Sequence, residues 1–574
     1  MKASIKIAML GNCTTEYVGK GLQEAASMHD ITAEVYNAPY NQYVQEILKS
    51  DSGLYRSAPE LIILWLEGRI LFPQWYDLNL LVEGKEKKIQ FVNSMLESVV
   101  SLVEAIRSKC GAKILVHNFK LPCFSPLGIL DNKFRPGLKA MIAMLNTLLE
   151  EWAQDKDSIF IFDYNSTCAR FGLDKAMDKK IYYATKSPVS FPFIRLITAE
   201  YMRYILPIKS KNKKCLVLDL DNTLWGGIAG EDGLQDVVLD ITGPGRAYYD
   251  FQQSILNLYA KGILLAVNSK NNPEDALEIM EKHPHMLLRK KYFSVLKINW
   301  NNKAANLNEI AGELGIGIDS LVFIDDNPVE REFVKAMLPE VTVVEMPEDT
   351  ARYSEVLEKL PEFELLSITE DDLRRNEMYK ANIERQETLK SLNSMEEFLS
   401  SLGLEISVEA ANSFTIPRIS QLSLKTNQFN MTTKRYQTED IERMAASEEY
   451  MVMSCSVRDK FGDNGISGIC IAKLQSAEAS IDTFLLSCRV LGLGIEYAFL
   501  SAIVENLHAK GVTTIHARYV KTPKNSANEG FYRNAGFLAD SAELTATSYV
   551  LKPGKSVKRH DSIKIVKKQE DRNL

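Results

Sequence analysis

Asp219 and Asp221, separated by one leucine, stand where the apolar run CLVL leads into DLDNTLWGG. Carboxylates so spaced at a strand end suit phosphoryl transfer, in which one attacks phosphorus, the other moves a proton and a divalent cation offsets charge. Later strand ends add Ser269 in AVNSKN, Lys303 in the polar stretch WNNKAANL, and Asp325 with Asp326 in VFIDDNP. A hydroxyl and an ammonium can hold the oxygens of the transferring group, and a late acidic pair completes an oxygen-rich Mg2+ site. A second reactive group lies in DTFLLSCRVLGLGIEYAFL, where a strand leads into Cys488 and then R-x-x-G-x-G: Arg489, Gly492 and Gly494. Glycines there let the backbone approach a ligand, and free amides at the following helix start favour a phosphate or pyrophosphate. Cys488 beside Arg489 is placed to be a thiolate nucleophile. A buried strand cysteine is the plainer alternative. A third is Cys13 in AMLGNCT, on the turn after the first strand, with His117 and Asn118 ending a later strand.

The elements that must position these groups fall into three segments. The chain has 574 residues, room for about three domains at roughly 100 to 200 residues each. Hydrophobic residues at 45% and charged residues at 25% predict a folded, soluble chain. Lys and Arg number 68 against 75 Asp and Glu, a net charge of -7, which gives no reason to expect nucleic acid or anionic membrane as a partner. MKASIKIAMLGNCTTEYVG turns polar too early for a signal peptide, and no apolar run is long enough for a membrane span, so a cytoplasmic location is expected. The 8 cysteines form no CxxC pair and the 7 histidines no HxxxH or HExxH, so neither a zinc ribbon nor histidine-ligated zinc is supported.

Strands at 5–10, 61–66, 113–119 and 159–164 alternate with amphipathic stretches such as 90–110, predicting a three-layer α/β domain over 1–208. After the basic linker KSKNKK a second α/β pattern, 212–350, has strands at 215–218, 263–269, 320–326 and 341–346. Residues 351–403, dense in Glu, Lys and Arg, predict a solvated helical connector. Strands dominate the third domain, 404–552, and 553–574 reads as a polar tail.

The order DxDxT, Ser, Lys, DD resembles the four motifs of the haloacid dehalogenase (HAD) superfamily of phosphohydrolases. The resemblance implies a Rossmannoid domain in which Asp219 accepts the phosphoryl group, Asp221 is the acid/base, and Thr223, Ser269 and Lys303 bind phosphate. It places Mg2+ at Asp219, Asp221, Asp325 and Asp326. The stretch from Thr223 to Ser269 is too short for a large cap, so a bulky or protein-tethered substrate could reach the site.

The loop after Cys488, followed by KNSANEGFYRNAGF, resembles the GNAT acyltransferase signature. That resemblance implies an α+β fold whose loop grips a pantetheine phosphate, with Arg489, Gly492, Gly494, Asn525 and Tyr532 along the pantetheine. Leu493 departs from it, because a basic residue commonly follows the middle glycine.

The two motif sets joined by a charged helix resemble the FkbH-like family. This implies a bifunctional glyceryl transferase/phosphatase of polyketide-type biosynthesis. A phosphoglyceryl group from 1,3-bisphosphoglycerate is captured on an enzyme thiol, dephosphorylated at the Mg2+ site and passed to the phosphopantetheine of an acyl carrier protein. The N-terminal domain of that family resembles SGNH hydrolases; Cys13 stands where their serine would, as a possible second nucleophile, but the expected Asp-x-x-His is missing from TKSPVSFPF. Arg418, Lys425, Lys434 and Arg435 could form a docking face for an acidic carrier, or a solvated face. The alternatives are a phosphatase fused to an acetyl-CoA-dependent acyltransferase, and a non-catalytic carrier-docking protein.

Overall fold

The computed structural model describes residues 3–391, 394–543 and 545–566. Two compact units are present, one running to Lys211 and including Glu364–Leu366, the other Asn212–Phe363 with the described residues from Ser367 onward.

The first unit carries strands β1 Ala3–Gly11, β2 Ile31–Asn37, β3 Leu61–Trp65, β4 Lys113–His117 and β5 Ile159–Phe162 in one parallel sheet, ordered β2-β1-β3-β4-β5. LIILW of β3 is buried throughout, as a parallel strand covered on both faces requires. Strand β2 lies outside the predicted set because its ITAEVYN buries only Ile31 and Ala33. Helix Lys85–Arg107 is long and apolar enough by length and composition to cross a membrane. Here Val92, Met95, Val99, Val103 and Ile106 turn one face of it into this unit's core.

The second unit begins with β6 Cys215–Leu218, β7 Leu264–Ser269, β8 Val295–Ile298, β9 Leu321–Ile324 and β10 Thr342–Val343, all parallel and ordered β10-β9-β6-β7-β8. Every strand therefore ends on the same edge, and the loops beyond those ends converge there. Predicted 341–346 shrinks to the two residues of β10, and β8 is additional.

A mixed sheet follows: β11 Glu405–Ala410, β12 Phe429–Asn430, β13 Tyr450–Asp459, β14 Gly462–Gln475, β15 Glu478–Leu486, β16 Thr514–Val520, β17 Leu538–Ala542, β18 Ala546–Leu551 and β19 Lys564–Val566. Its order is β17-β18-β16-β15-β14-β13-β11-β19, with β12 against β15. Segment 553–574, expected as a polar tail, supplies β19 parallel to β11; its last residues, 567–574, lie outside the described ones.

The connector is not solvated as expected. In helix Arg375–Ser391 the side chains of Asn376, Met378, Tyr379 and Arg385 are buried, and Arg385 Nε pairs with Asp459 Oδ2 at 2.6 Å. Asn376 Nδ2 donates to the Tyr259 carbonyl at 2.9 Å and Arg375 Nη1 to that of Gly262 at 3.3 Å. Gly262 has φ +84°, and a Cβ on it would meet the Asp372 carbonyl oxygen at 2.0 Å, so only glycine admits this approach. Part of the charge that reads as solvation goes to buried partners, while pairs such as Lys359 with Glu355 and Arg374 with Glu377 stay exposed.

Candidate functional site

Asp219 follows β6, Ser269 ends β7, Lys303 opens the helix after β8, and Asp325 and Asp326 follow β9. The parallel sheet brings four predicted motifs to one edge. Local chemistry fixes the turns: Asn222 adopts φ +53° and its Oδ1 accepts from Gly227 N at 2.9 Å. Asn302 caps the Lys303 helix by accepting from Ala305 N at 2.7 Å, and Asn327 caps the next, with Pro328 in its first turn.

Lys303 Nζ lies 3.0 Å from Asp219 Oδ2 and 2.5 Å from Asp325 Oδ2. Burial alone would lower the ammonium, but Asp219 and then Asp325 outweigh it and raise its pKa. Carboxylate oxygens of Asp219, Asp325 and Asp326 lie within 4.8 Å of one another. Asp219 Oδ1 is buried without a hydrogen-bond partner. Burial, then Asp219, push Asp325 up to about 6 and Asp326 upward. Three carboxylates facing one ammonium leave excess negative charge, and an orphaned oxygen among them fits a hard divalent cation.

Asp221 is placed differently from the expected metal set. Its Oδ1 accepts from Trp225 Nε1 at 3.0 Å and Ala229 N at 3.0 Å, and its Oδ2 from Asn271 Nδ2 at 2.8 Å. Its carboxylate stands outside the three-aspartate group, so side-chain metal ligation is not supported. Burial pushes Asp221 up to about 6 against the hydrogen bonds from Ala229 and Trp225, which suits a proton carrier. Thr223 Oγ1 is engaged by Asp326, donating to its Oδ1 at 3.3 Å and accepting from its N at 3.2 Å. Sequence reading missed Trp225 and Asn271; the latter, two residues after Ser269, was the findable one.

Cys488 opens the short turn Cys488–Val490 after β15 and is half-buried. Tyr379 Oη lies 3.8 Å from its Sγ. Arg489 is 5% exposed; its Nε donates to Ser487 Oγ at 3.2 Å, its Nη1 lies 2.7 Å from Met378 Sδ, and its Nη2 has no partner. Gly492 and Gly494 have φ +79° and +72°, and Gly494 starts helix Ile495–Ala509. Leu493 packs into the apolar core, which accounts for a leucine where the resemblance expects a base.

Two expected pantetheine contacts are not available. Asn525 is 0% exposed, its Nδ2 donating to the Asn430 and Val520 carbonyls at 2.9 Å and its Oδ1 accepting from Thr522 N at 2.7 Å. Tyr532 is buried against Phe531, Phe537 and Tyr549. The parallel pairing of β15 with β16 covers only Glu478–Ile481. Beyond it β12 pairs with Leu485 and Leu486, Met431 N bonds the Phe484 carbonyl at 3.1 Å, and Val520 N bonds the Met431 carbonyl at 2.7 Å. The chain's own segment fills the gap between the two strands.

The thiol and the aspartates lie at opposite edges of the β6–β10 sheet. Connector and C-terminal residues touch the loops that lead into its strands: Asn376 and Arg375 before β7, Lys380 at the Lys291 carbonyl before β8, and Lys524 on Asp319 before β9. Asp219 is at the far end of β6, and four extended residues at about 3.3 Å each put some 13 Å of strand between the edges.

Cys13, the candidate second nucleophile, is 2% exposed, its Sγ 3.9 Å from the Trp65 carbonyl oxygen. Burial, then Glu67, push its pKa well up, so the thiolate is disfavoured. His117 Nε2 pairs with Tyr201 Oη at 2.8 Å, and burial holds the imidazole neutral. Asn118 Nδ2 donates to Asp163 Oδ1 at 2.9 Å. These residues build a core and not a triad. Of the predicted basic face, Arg418 is 8% exposed, whereas Lys434 and Arg435 are exposed, Arg435 also donating to the Ser423 and Thr426 carbonyls.

Residues 6–205 match the FkbH N-terminal domain family. No curated protein matches the chain. Among solved structures, the N-terminal part of the protein BF1531 from Bacteroides fragilis, described as containing a phosphatase domain complexed with Mg, is 30% identical with a TM-score of 0.58, covering 64% of this chain and 95% of that one. The ribosomal-protein-S18-alanine N-acetyltransferase from Escherichia coli is 12% identical over 26% of this chain and 96% of its own, at a TM-score of 0.22, a likeness too slight to decide anything. A matched N-terminal domain and a relative at 30% identity along nearly its whole length agree: the chain belongs to the FkbH-like family.

Proposed function

We propose that the chain is a bifunctional cytoplasmic enzyme that takes a phosphorylated three-carbon acyl group from an acyl phosphate such as 1,3-bisphosphoglycerate, loads it on an acyl carrier protein and removes its phosphate. The HAD-like domain is the phosphatase, the C-terminal domain is GNAT-like, and the first domain is an SGNH-like fold without its triad. The observation that carries the reading is the convergence of Asp219, Asp325, Asp326 and Lys303 on one strand edge, with an accessible thiol in the same unit.

At the phosphatase edge, one carboxylate oxygen of Asp219 attacks phosphorus while the other stays with the charge-neutralising groups. The bond from phosphorus to the ester oxygen breaks, and that oxygen takes the electron pair and a proton from Asp221. Water, deprotonated by Asp221, then attacks the phosphoaspartyl phosphorus and frees Asp219. Lys303 holds the phosphoryl oxygens. Mg2+, present in the BF1531 structure, would be held here by Asp219, Asp325 and Asp326 and would neutralise charge on those oxygens.

At the other edge the Cys488 thiolate attacks the acyl carbon, the bond to the phosphate oxygen breaks, and inorganic phosphate leaves with the electron pair. The phosphopantetheine thiolate of the carrier then displaces Cys488 from the thioester. With the connector docked on the loops before β7 and β8 and the aspartates beyond the other end of β6, we infer that the phosphoacyl group is loaded first and travels on the carrier arm to be dephosphorylated.

The test is intact mass spectrometry of a carrier protein incubated with full-length enzyme, Mg2+ and 1,3-bisphosphoglycerate formed in place. The parent should yield glyceryl carrier, Asp219→Asn phosphoglyceryl carrier, and Cys488→Ala none. Retention of the acyl group on Asp219→Asn enzyme with no loaded carrier contradicts the proposed order, and acetyl transfer from acetyl-CoA contradicts the donor.

A further inference from the structure

Beside Cys488 the connector and helix Ile416–Lys425 bury an unusual density of positive charge. Arg375 and Lys425 meet the carboxylate of Asp372 and Arg418 that of Asp371, with Arg489 near enough to repel Arg375 and Arg418. Asp372, 0% exposed, accepts from Arg375 and Gln421 and lies 3.7 Å from Lys425 Nζ. Gln421 in turn accepts from Arg418. Arg418 Nε and Asp371 Oδ2 approach within 2.9 Å without the alignment of a hydrogen bond, and both atoms are left without one. Arg489 Nη2, buried, also lacks a partner. The four cations outnumber the two carboxylates, and no other carboxylate pairs with them among the described residues.

A buried surplus of cationic donors is unfavourable unless an anion completes it. The surplus corresponds to a dianion, and guanidinium forks match the tetrahedral oxygens of a phosphate better than a single carboxylate does. Burial and mutual repulsion act in the same sense: burial, then Arg489, lower Arg418 to about 9, and burial, then Arg375, lower Lys425 well below its ordinary value. The cluster opens outward where the Lys425 side chain is 30% exposed and where Cys488 is half-buried.

We propose that Arg375, Arg418, Lys425 and Arg489 bind a phosphate monoester dianion, the phosphate end of the acyl group that Cys488 captures. The proposal rests on the acyl-capture reading above and gives it a selectivity: the enzyme loads phosphorylated acids and rejects the free hydroxyacid, because the phosphate is gripped at capture and removed only at the far edge of the sheet. The same chemistry could come from the phosphate of a pantetheine group, and the test separates the two sources.

The measurement is the rate of Cys488 alkylation by iodoacetamide, read by peptide mass spectrometry on the full-length Asp219→Asn protein with Mg2+, as 3-phosphoglycerate is titrated in. The expected result is saturable slowing by 3-phosphoglycerate, none by glycerate, and at least a tenfold rise in the half-protecting concentration in Arg418→Gln and in Arg489→Gln. Protection by glycerate, no protection by 3-phosphoglycerate, or undiminished protection in both folded variants overturns the proposal. Protection by pantetheine 4'-phosphate alone assigns the site to the carrier arm and overturns the substrate assignment. Should either variant fail to fold, the contrast between 3-phosphoglycerate and glycerate on the Arg-intact protein decides by itself. Failure of acyl capture would show separately, as the absence of any covalent adduct from the acyl phosphate while phosphate protection persists.

Discussion

The hydroxyl of Tyr379 lies 3.8 Å from the Cys488 Sγ, while its ring sits in the apolar core with Cys215, Val217, Leu264 and Ala266 of β6 and β7. One residue of the connector thus joins the body of the phosphatase domain to the Cys488 thiol. Burial, then the thiol itself, push the phenol pKa up, so it stays neutral and can donate to a thiolate. Tyr379→Phe should slow Cys488 alkylation at pH 8 about fivefold, the value of roughly 1 kcal/mol for one hydrogen bond, with an unchanged melting curve. An unaltered rate means that the contact does not stabilise the thiolate.

Asp219→Asn should retain the parent circular dichroism spectrum and lose phosphoester hydrolysis by about 10³-fold or more, as removal of a nucleophile does. Lys303→Met should lower kcat by about 10² to 10³, because it removes a preorganised donor to the transferring oxygens and leaves Asp219 and Asp325 facing each other unneutralised. Steady-state turnover of any accepted phosphoester checks both, and parent-like turnover by Asp219→Asn would falsify the phosphatase assignment.

Removing the metal should make stability pH-dependent in a defined direction. Asp221 and Asp325 rise to about 6 in the fold, above an unfolded carboxyl near 3.9, so the native state binds these protons more tightly than the unfolded chain does. Their contribution is fully present below about pH 4 and is lost as pH rises through about 6. In EDTA the melting temperature should therefore fall between pH 5 and pH 7, and added Mg2+ should raise it more at pH 7 than at pH 5. An equal Mg2+ response at both pH values contradicts the placement of the carboxylates.

The two thiols with candidate roles should differ sharply toward reagents. Cys488 is half-buried, whereas Cys13 is enclosed and its thiolate disfavoured. Under native conditions iodoacetamide should modify Cys488 within minutes and leave Cys13 untouched until denaturant is added. Fast native labelling of Cys13 reverses the assignment of the nucleophile.

Asp459→Asn should destabilise the second unit by about 3 to 5 kcal/mol, the usual result of leaving one member of a buried ion pair alone. Arg385 and Asp459 are 2% and 0% exposed as side chains and 2.6 Å apart. Urea unfolding measures this directly, and a change under about 1 kcal/mol would show that water reaches the pair.

Much of the phosphatase edge was legible in the chain because it depends on local pattern. A short apolar strand followed at once by Asp219, Ser269 or Asp325 places its polar residue at the end of a strand, and parallel pairing then gathers all such ends on one edge. Burial depends instead on what packs across from a residue. Asn525 and Tyr532 lie where the motif led one to look, yet β12, distant in sequence, took up the Asn525 amide, and Phe531, Phe537 and Tyr549 enclose Tyr532. Cys13 sits on the expected turn, but the aromatic core around Trp65 and Tyr164 encloses it.

Charge patterning was the least transparent signal. Arg375, Asp371 and Asp372 read as a solvated connector, and Arg418 with Lys425 as a surface patch, because composition records how many charges a segment carries and not which of them face one another. Folding sets the two segments against each other and turns exposed charge into a buried cationic cluster beside Cys488. The sequence by itself determined the α/β classes, the order of the phosphoryl-transfer motifs and the position of the thiol after its strand, since each follows from neighbours a few residues apart. Only the tertiary structure decided that the thiol lies toward the edge of the β6–β10 sheet opposite the aspartates, since that depends on where the connector docks, through Arg375, Asn376 and Lys380 and the close approach at Gly262.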